Sequence, residues 1–120
     1  MTMLDWNAYK KQLASTFAEI AKHAPDLMKG YKALATSRST TGALDPKTRE
    51  LVALAVAVTV RCDGCIATHA AFAKKHGATA EEITDALGVA VMVNAGATLV
   101  YSARTLDAFH ADDPPPDPKA

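Results

Sequence analysis

The sequence has no basic block. Its 13 lysines and arginines and 13 aspartates and glutamates are scattered, and the net charge is zero. That distribution gives nucleic acid or an anionic membrane surface no reason to bind. A long hydrophobic run is also missing. The longest apolar stretch is Leu51 to Val60, and a bilayer span needs ~20 residues. Met1 to Lys11 has no apolar core and does not read as a signal peptide. The expectation is a soluble, cytoplasmic protein with no membrane partner. Cysteine is scarce, with Cys62 and Cys65 the only two. In a reducing compartment an isolated CxxC is more often catalytic or metal-binding than a structural staple.

What is present is ordinary globular material. Apolar residues make up 49% and charged residues 22% of 120, enough for one domain. Trp6, Tyr9, Leu13, Phe17 and Ile20 recur at helical spacing, so residues 5–23 read as an amphipathic helix that Pro25 interrupts. Leu27, Met28, Tyr31 and Leu34 suggest a shorter second helix, and residues 36–44 read as a loop. Asp45-Pro46 is a helix start, an acidic N-cap followed by proline where its missing N–H costs nothing. That helix carries Glu50 and runs to about Val60. The next is expected from Cys62 to His76, stopped by Gly77. Thr79-Ala80-Glu81-Glu82 is a capping box and opens a helix to about Asn94. Gly96 marks a break, and Leu99 to Phe109 form a last helix. The sum is an all-α domain of about six helices over residues 1–111, with a proline-rich, disordered tail over 112–120. Residues 51–60 and 86–100 are apolar nearly all round and must be buried on every side. A chain this short has few such places, so association of subunits is expected.

The chemistry concentrates in Cys62-Asp63-Gly64-Cys65-Ile66-Ala67-Thr68-His69, with Glu50 upstream. Two residues between thiols is the spacing of dithiol redox centres. On a helix, positions 62, 65 and 69 fall in a narrow arc, because each residue turns ~100°. Unpaired N–H groups at the helix start stabilise a thiolate, the species that attacks a peroxide or a disulfide. His69, four residues after Cys65, is placed to take or return a proton. Two other readings stand beside this one. The cysteines could be small buried hydrophobes, or Cys62, Cys65, His69 and Glu50 could be zinc ligands, although structural zinc sites usually draw a second ligand pair from a distant segment. Glu50 cannot reach Cys62 along one straight helix, because twelve residues rise ~18 Å. If the chain reverses near Arg61, Glu50 lies opposite about residue 73, within a side chain's reach of His69, or a neighbouring subunit makes the contact. Glu50 could equally be an acid serving a helix start. A thioredoxin fold would need a later proline facing the disulfide, and no proline occurs between Pro46 and Pro114.

The pattern Glu50-(eleven residues)-Cys62-Asp63-Gly64-Cys65-(three residues)-His69 resembles the AhpD-like alkylhydroperoxidase motif of the carboxymuconolactone decarboxylase family. Gly77-Ala78-Thr79-Ala80-Glu81-Glu82-Ile83 and Ala86-Leu87-Gly88-Val89-Ala90 are similar to that family's next segment. The likeness covers about residues 40–110. It implies an all-helical fold assembling as a homo-oligomer, trimer or hexamer. It also implies a dithiol peroxidase or thiol–disulfide oxidoreductase with no metal, flavin or other cofactor. Carried over, Cys65 is the peroxide-reactive thiol, Cys62 the resolving thiol, and Glu50 with His69 the proton relay. The implied partners are a hydroperoxide and a thiol reductant protein. One departure is plain: the best-known peroxidase members carry a histidine between the cysteines, where Gly64 stands here. Two alternatives remain in view. One is a non-redox lactone- or acid-processing decarboxylase in which His69 and Glu50 do acid–base work. The other is a dithiol adaptor that passes electrons to a partner protein.

Overall fold

The computed structural model describes residues 2–37 and 42–119. Five helices occur among the described residues: α1 (Trp6–His23), α2 (Pro25–Ala35), α3 (Pro46–Val60), α4 (Asp63–Lys75) and α5 (Ala80–Phe109). The all-α expectation holds. Part of the loop read at 36–44 lies outside the described residues, as do the first residue of the domain and the last of the tail. Between Phe109 and Lys119 the chain forms turns but no helix.

The local signals act as their chemistry predicts. The Asp45 carboxylate accepts from the Thr48 N–H at 2.8 Å and caps α3. Thr79 and Glu82 form both bonds of a capping box at α5. Gly77 adopts φ +82°, the left-handed turn between α4 and α5. At the α3–α4 turn the left-handed residue is Arg61, φ 56°, an uncommon conformation for a residue with a Cβ. The turn folds α4 back on α3, which also packs on α5, while α1 packs on α2 and α4.

One expected boundary is absent. Gly96 does not break the chain, and the last two expected helices are a single α5 of 30 residues, about 45 Å long. A helical glycine costs ~1 kcal/mol, too little to interrupt strong helix formers on both sides. Nothing lies within 4 Å of where a Cβ at Gly96 would stand, so no packing demands a kink there.

The buried core is small: Leu54, Ala57, Ala67, Ala73 and Ala90. Asn94 ties α5 to α3 by donating to Thr59 Oγ1 at 3.0 Å. From Val91 onward every described residue is exposed, including Leu99 at 72% and Phe109 at 75%. The radius of gyration is 21.1 Å, against ~14 Å for a compact chain of this length. The apolar segment 86–100 is therefore mostly uncovered within one chain. Residues 86–103 also contain no charged side chain. By length and composition α5 is thus long and apolar enough to cross a membrane. The expectation that no such run exists is corrected here: Asn94 and Thr98 interrupt its apolar character without adding charge.

Lys47 Nζ and Glu82 Oε2, 2.7 Å apart, join the starts of α3 and α5. The Lys47 hydrogen bond, then the Thr79 N–H, holds the Glu82 carboxyl below its ordinary range, and Glu82 in turn raises Lys47. The Thr48 N–H lowers Asp45. A depressed carboxylate stabilises the fold above its unfolded pKa, and that contribution disappears as pH falls through the folded value. A raised lysine contributes below the ordinary lysine range and loses its effect as pH rises through the folded value. The expected result is a thermal midpoint that declines on acidification from about pH 4 downward. The double variant Asp45→Asn, Glu82→Gln should flatten that limb in far-ultraviolet circular dichroism melts. An unchanged slope would place the acid sensitivity in other carboxylates.

Candidate active site

Cys62 is the N-cap of α4 and Cys65 lies in its first turn. The two are joined as a disulfide with a Cα–Cα distance of 5.2 Å, inside the usual range for such a bond. The Cys65 N–H also points at the Cys62 sulfur, 3.1 Å away. A sulfur thus fills the place that serine or aspartate takes at other helix starts.

His69 follows one turn later on α4. Its Nδ1 is 2.6 Å from Glu50 Oε2, in a half-buried pair with side chains 33% and 18% exposed. The chain reverses at Arg61, and the Glu50 side chain reaches His69 across the antiparallel pair, as expected. The contact is made within one chain and needs no neighbouring subunit. A carboxylate only accepts, so the hydrogen of the pair sits on Nδ1 and the neutral ring keeps Nε2 as a base. Phe72 meets the His69 ring edge-on, with centroids 6.2 Å apart. Glu50 lies beyond the first turn of α3, which holds no acid, and its carboxylate is engaged by His69.

Of the four sequence-derived candidates, Cys62 and Cys65 sit at the α3–α4 turn, His69 stands further along α4, and Glu50 reaches His69 from the first half of α3. The sulfurs are bonded to each other and Nδ1 is occupied by Glu50. Among the described residues, no group of three histidine, cysteine, aspartate or glutamate side chains is arranged to hold a metal ion.

A cleft of about 410 Å³ opens over the disulfide. Arg61, Cys62, Gly64, Cys65, Thr68 and His69 form its floor, and Tyr9, Leu13 and Phe17 from α1 and Tyr31 from α2 its opposite walls. These wall residues were not candidates from sequence. Tyr9, Leu13 and Phe17 read there as a helix's packing stripe, and periodicity does not say what a stripe packs against. One signal was available: a glycine between the cysteines permits a close approach. A Cβ at Gly64 would stand 2.8 Å from Leu13 Cδ2, so the Leu13 side chain lies where a side chain at 64 would begin. A second cavity, about 380 Å³, lies on the far side of the Glu50–His69 pair and includes Arg49 and His76. His69 borders both.

Comparison with known proteins agrees with this geometry. The profile of the Carboxymuconolactone decarboxylase family matches residues 25–108, so α1 precedes the matched region. An uncharacterized protein of Haemophilus influenzae is 44% identical over 105 residues, covering 88% of this chain and 93% of the relative. Uncharacterized protein 4 in the cox locus of Paracoccus denitrificans is 32% identical over 93 residues, covering 78% of this chain and 84% of its own length. The crystal structure of an apo carboxymuconolactone decarboxylase family protein from Legionella pneumophila superposes with a TM-score of 0.69 at 40% identity, covering 88% of this chain and 95% of that one. With a matching profile over most of its length and a close solved fold, the chain belongs to the carboxymuconolactone decarboxylase family.

Proposed function

We propose that the protein is a thiol-dependent peroxidase that cycles its Cys62–Cys65 pair between dithiol and disulfide. The observation carrying this reading is the Cys62–Cys65 disulfide in a cleft that His69 also lines, with Glu50 held 2.6 Å from His69 Nδ1. In the reduced state, His69 Nε2 takes the Cys65 thiol proton, and Glu50 steadies the resulting imidazolium. The thiolate attacks the terminal oxygen of a hydroperoxide. An S–O bond forms and the O–O bond breaks, leaving a sulfenic acid on Cys65 and an alkoxide that takes up a proton. The Cys62 thiol then displaces water from the sulfenic acid and closes the disulfide. An external dithiol, as a reductant protein in the cytoplasm would supply, returns two electrons. Attack at Cys65 expels Cys62 as a thiolate onto the start of α4, where the Cys65 N–H already meets its sulfur; a stabilised thiolate leaves faster.

Self-association belongs to the same reading. The bare apolar surface of α5 is covered by further copies of the chain, and the cleft faces the cytoplasm on the assembled particle.

The deciding experiment is a thiol titration of the reduced protein before and after one equivalent of cumene hydroperoxide. Two thiols should be lost per chain, with a loss of two hydrogens in the peptide holding residues 62–65. Two alkylatable thiols persisting after treatment would defeat the peroxidase reading.

The relay has its own test. In a Cys62→Ser background, His69→Ala should slow iodoacetamide alkylation of Cys65 at neutral pH, and Glu50→Gln should slow it by less. The double variant should lose less than the sum of the two effects, because members of one network couple. Unchanged rates in His69→Ala would make that residue packing only.

A further inference from the structure

We propose that Tyr9, on α1 and before the family-matched region, is a further catalytic residue: its phenol protonates the oxygen expelled from the peroxide. The inference rests on the peroxidase reading. Attack by sulfur on the terminal oxygen is in line with the breaking O–O bond, so the departing oxygen moves away from Cys65 into the cleft. The groups that can meet it there stand on the other walls.

Three hydroxyls line that cleft: Tyr9, Tyr31 and Thr68. Thr68 is an alkanol and a much weaker acid than a phenol, so it is poorly suited to neutralise an alkoxide. Of the two phenols, Tyr9 is held beside the redox turn. Its Oη is 4.0 Å from where a Cβ at Gly64 would stand, beside the Leu13 methyl that fills the space between the cysteines. Among the described residues, no group forms a hydrogen bond with that hydroxyl, although Trp6 braces its ring edge-on at 6.4 Å between centroids. His69 is committed through Nδ1 to Glu50 and stands on the same helix as the attacking sulfur. A donor on α1 complements it.

The step balances. Cys65 thiolate, ROOH and the Tyr9 phenol give Cys65 sulfenic acid, ROH and Tyr9 phenolate. Sulfur gives up two electrons and the O–O bond takes them. The phenolate recovers its proton from the His69 imidazolium through water, which also returns His69 to its basic form.

The test uses the reduced full-length chain in single turnover, quenched by alkylation and read by mass spectrometry. Two oxidants are compared. tert-Butyl hydroperoxide expels a strongly basic alkoxide that needs a proton, and peracetic acid expels a weakly basic carboxylate that does not. Tyr9→Phe should slow the first reaction on the order of 100-fold and leave the second at the wild-type rate. Tyr31→Phe should affect the two oxidants alike, with no dependence on the leaving group. Equal slowing with both oxidants would make Tyr9 a wall of the cleft and overturn the proposal. So would an unchanged Tyr9→Phe, or a leaving-group-dependent loss in Tyr31→Phe alone. A wild-type protein inert to both oxidants would remove the peroxidase reading and Tyr9's role with it, whereas a reactive wild type with an indifferent Tyr9→Phe removes the tyrosine alone.

Discussion

Replacing Cys65 by serine should abolish hydroperoxide consumption, while replacing Cys62 by serine should stop the reaction one step later. In the proposed cycle the two variants differ because the thiols have different tasks. Without Cys65 no sulfur stands one turn before His69, and the remaining Cys62 thiol has no adjacent base. Turnover should fall to the level of a free thiol, a loss on the order of 1,000-fold when base assistance and placement are both removed. Without Cys62 the first step survives and the sulfenic acid has no partner. It should accumulate on Cys65, be trapped by dimedone as an adduct on the peptide spanning the motif, and be over-oxidised by excess peroxide. A dimedone adduct on Cys62 in the Cys65→Ser variant, with peroxide still consumed, would reverse the assignment. The N-cap position of Cys62 makes that reversal a meaningful outcome, because its sulfur is the one that receives a backbone N–H. Full retention of a lactone- or acid-processing activity in Cys65→Ser would instead favour the non-redox alternative.

The second large effect is expected on α5. Leu99→Asp should break the particle into single chains. Leu99 is 72% exposed, and Leu106, Phe109, Val93 and Met92 lie on the same uncovered helix. Covering a leucine contributes ~1.5–3 kcal/mol, and a carboxylate in its place would be buried without a partner. Counted once for each copy, this shifts the dissociation constant by at least ~100-fold. Light scattering of wild type should give a multiple of 12.6 kDa, and the variant should approach that unit mass. A wild-type monomer in buffer would show that the helix is not covered by self-association. Partition of the wild type into detergent or vesicles would place lipid against α5 instead.

The fold was legible wherever one or two residues decide the local outcome. Asp45-Pro46, Thr79 with Glu82, and Gly77 each act through their own backbone neighbours, so their places in the sequence became helix boundaries. Gly96 misled because a glycine's cost is small beside the helix propensity of the residues around it. At the site, Cys62, Cys65 and His69 were legible because they share one helix face. Glu50 was legible too, since a reversal near Arg61 brings it within a side chain's reach of His69, and that contact is made. The left-handed Arg61 sets how tightly α3 and α4 fold back, and no spacing rule encodes that turn. Tyr9 and Leu13 were opaque for a deeper reason: their stripe has the same period whether it covers a core or the wall of a redox cleft.

The missing side chain at Gly64 has a consequence for any attempt to rebuild the site. Positions 13 and 64 share one volume, since Leu13 Cδ2 stands 2.8 Å from where a Cβ at 64 would be. A histidine grafted between the cysteines, as the best-known peroxidases carry it, can enter only if the Leu13 side chain gives way, and the methyl in the way is the far end of a flexible side chain. The two residues should therefore be treated as one exchangeable unit. Glycine at 64 lets the leucine at 13 reach in over the disulfide, and a side chain at 64 asks that leucine to change rotamer or be shortened. Swapping the histidine in alone would test the displacement of Leu13 as well as the chemistry of an imidazole.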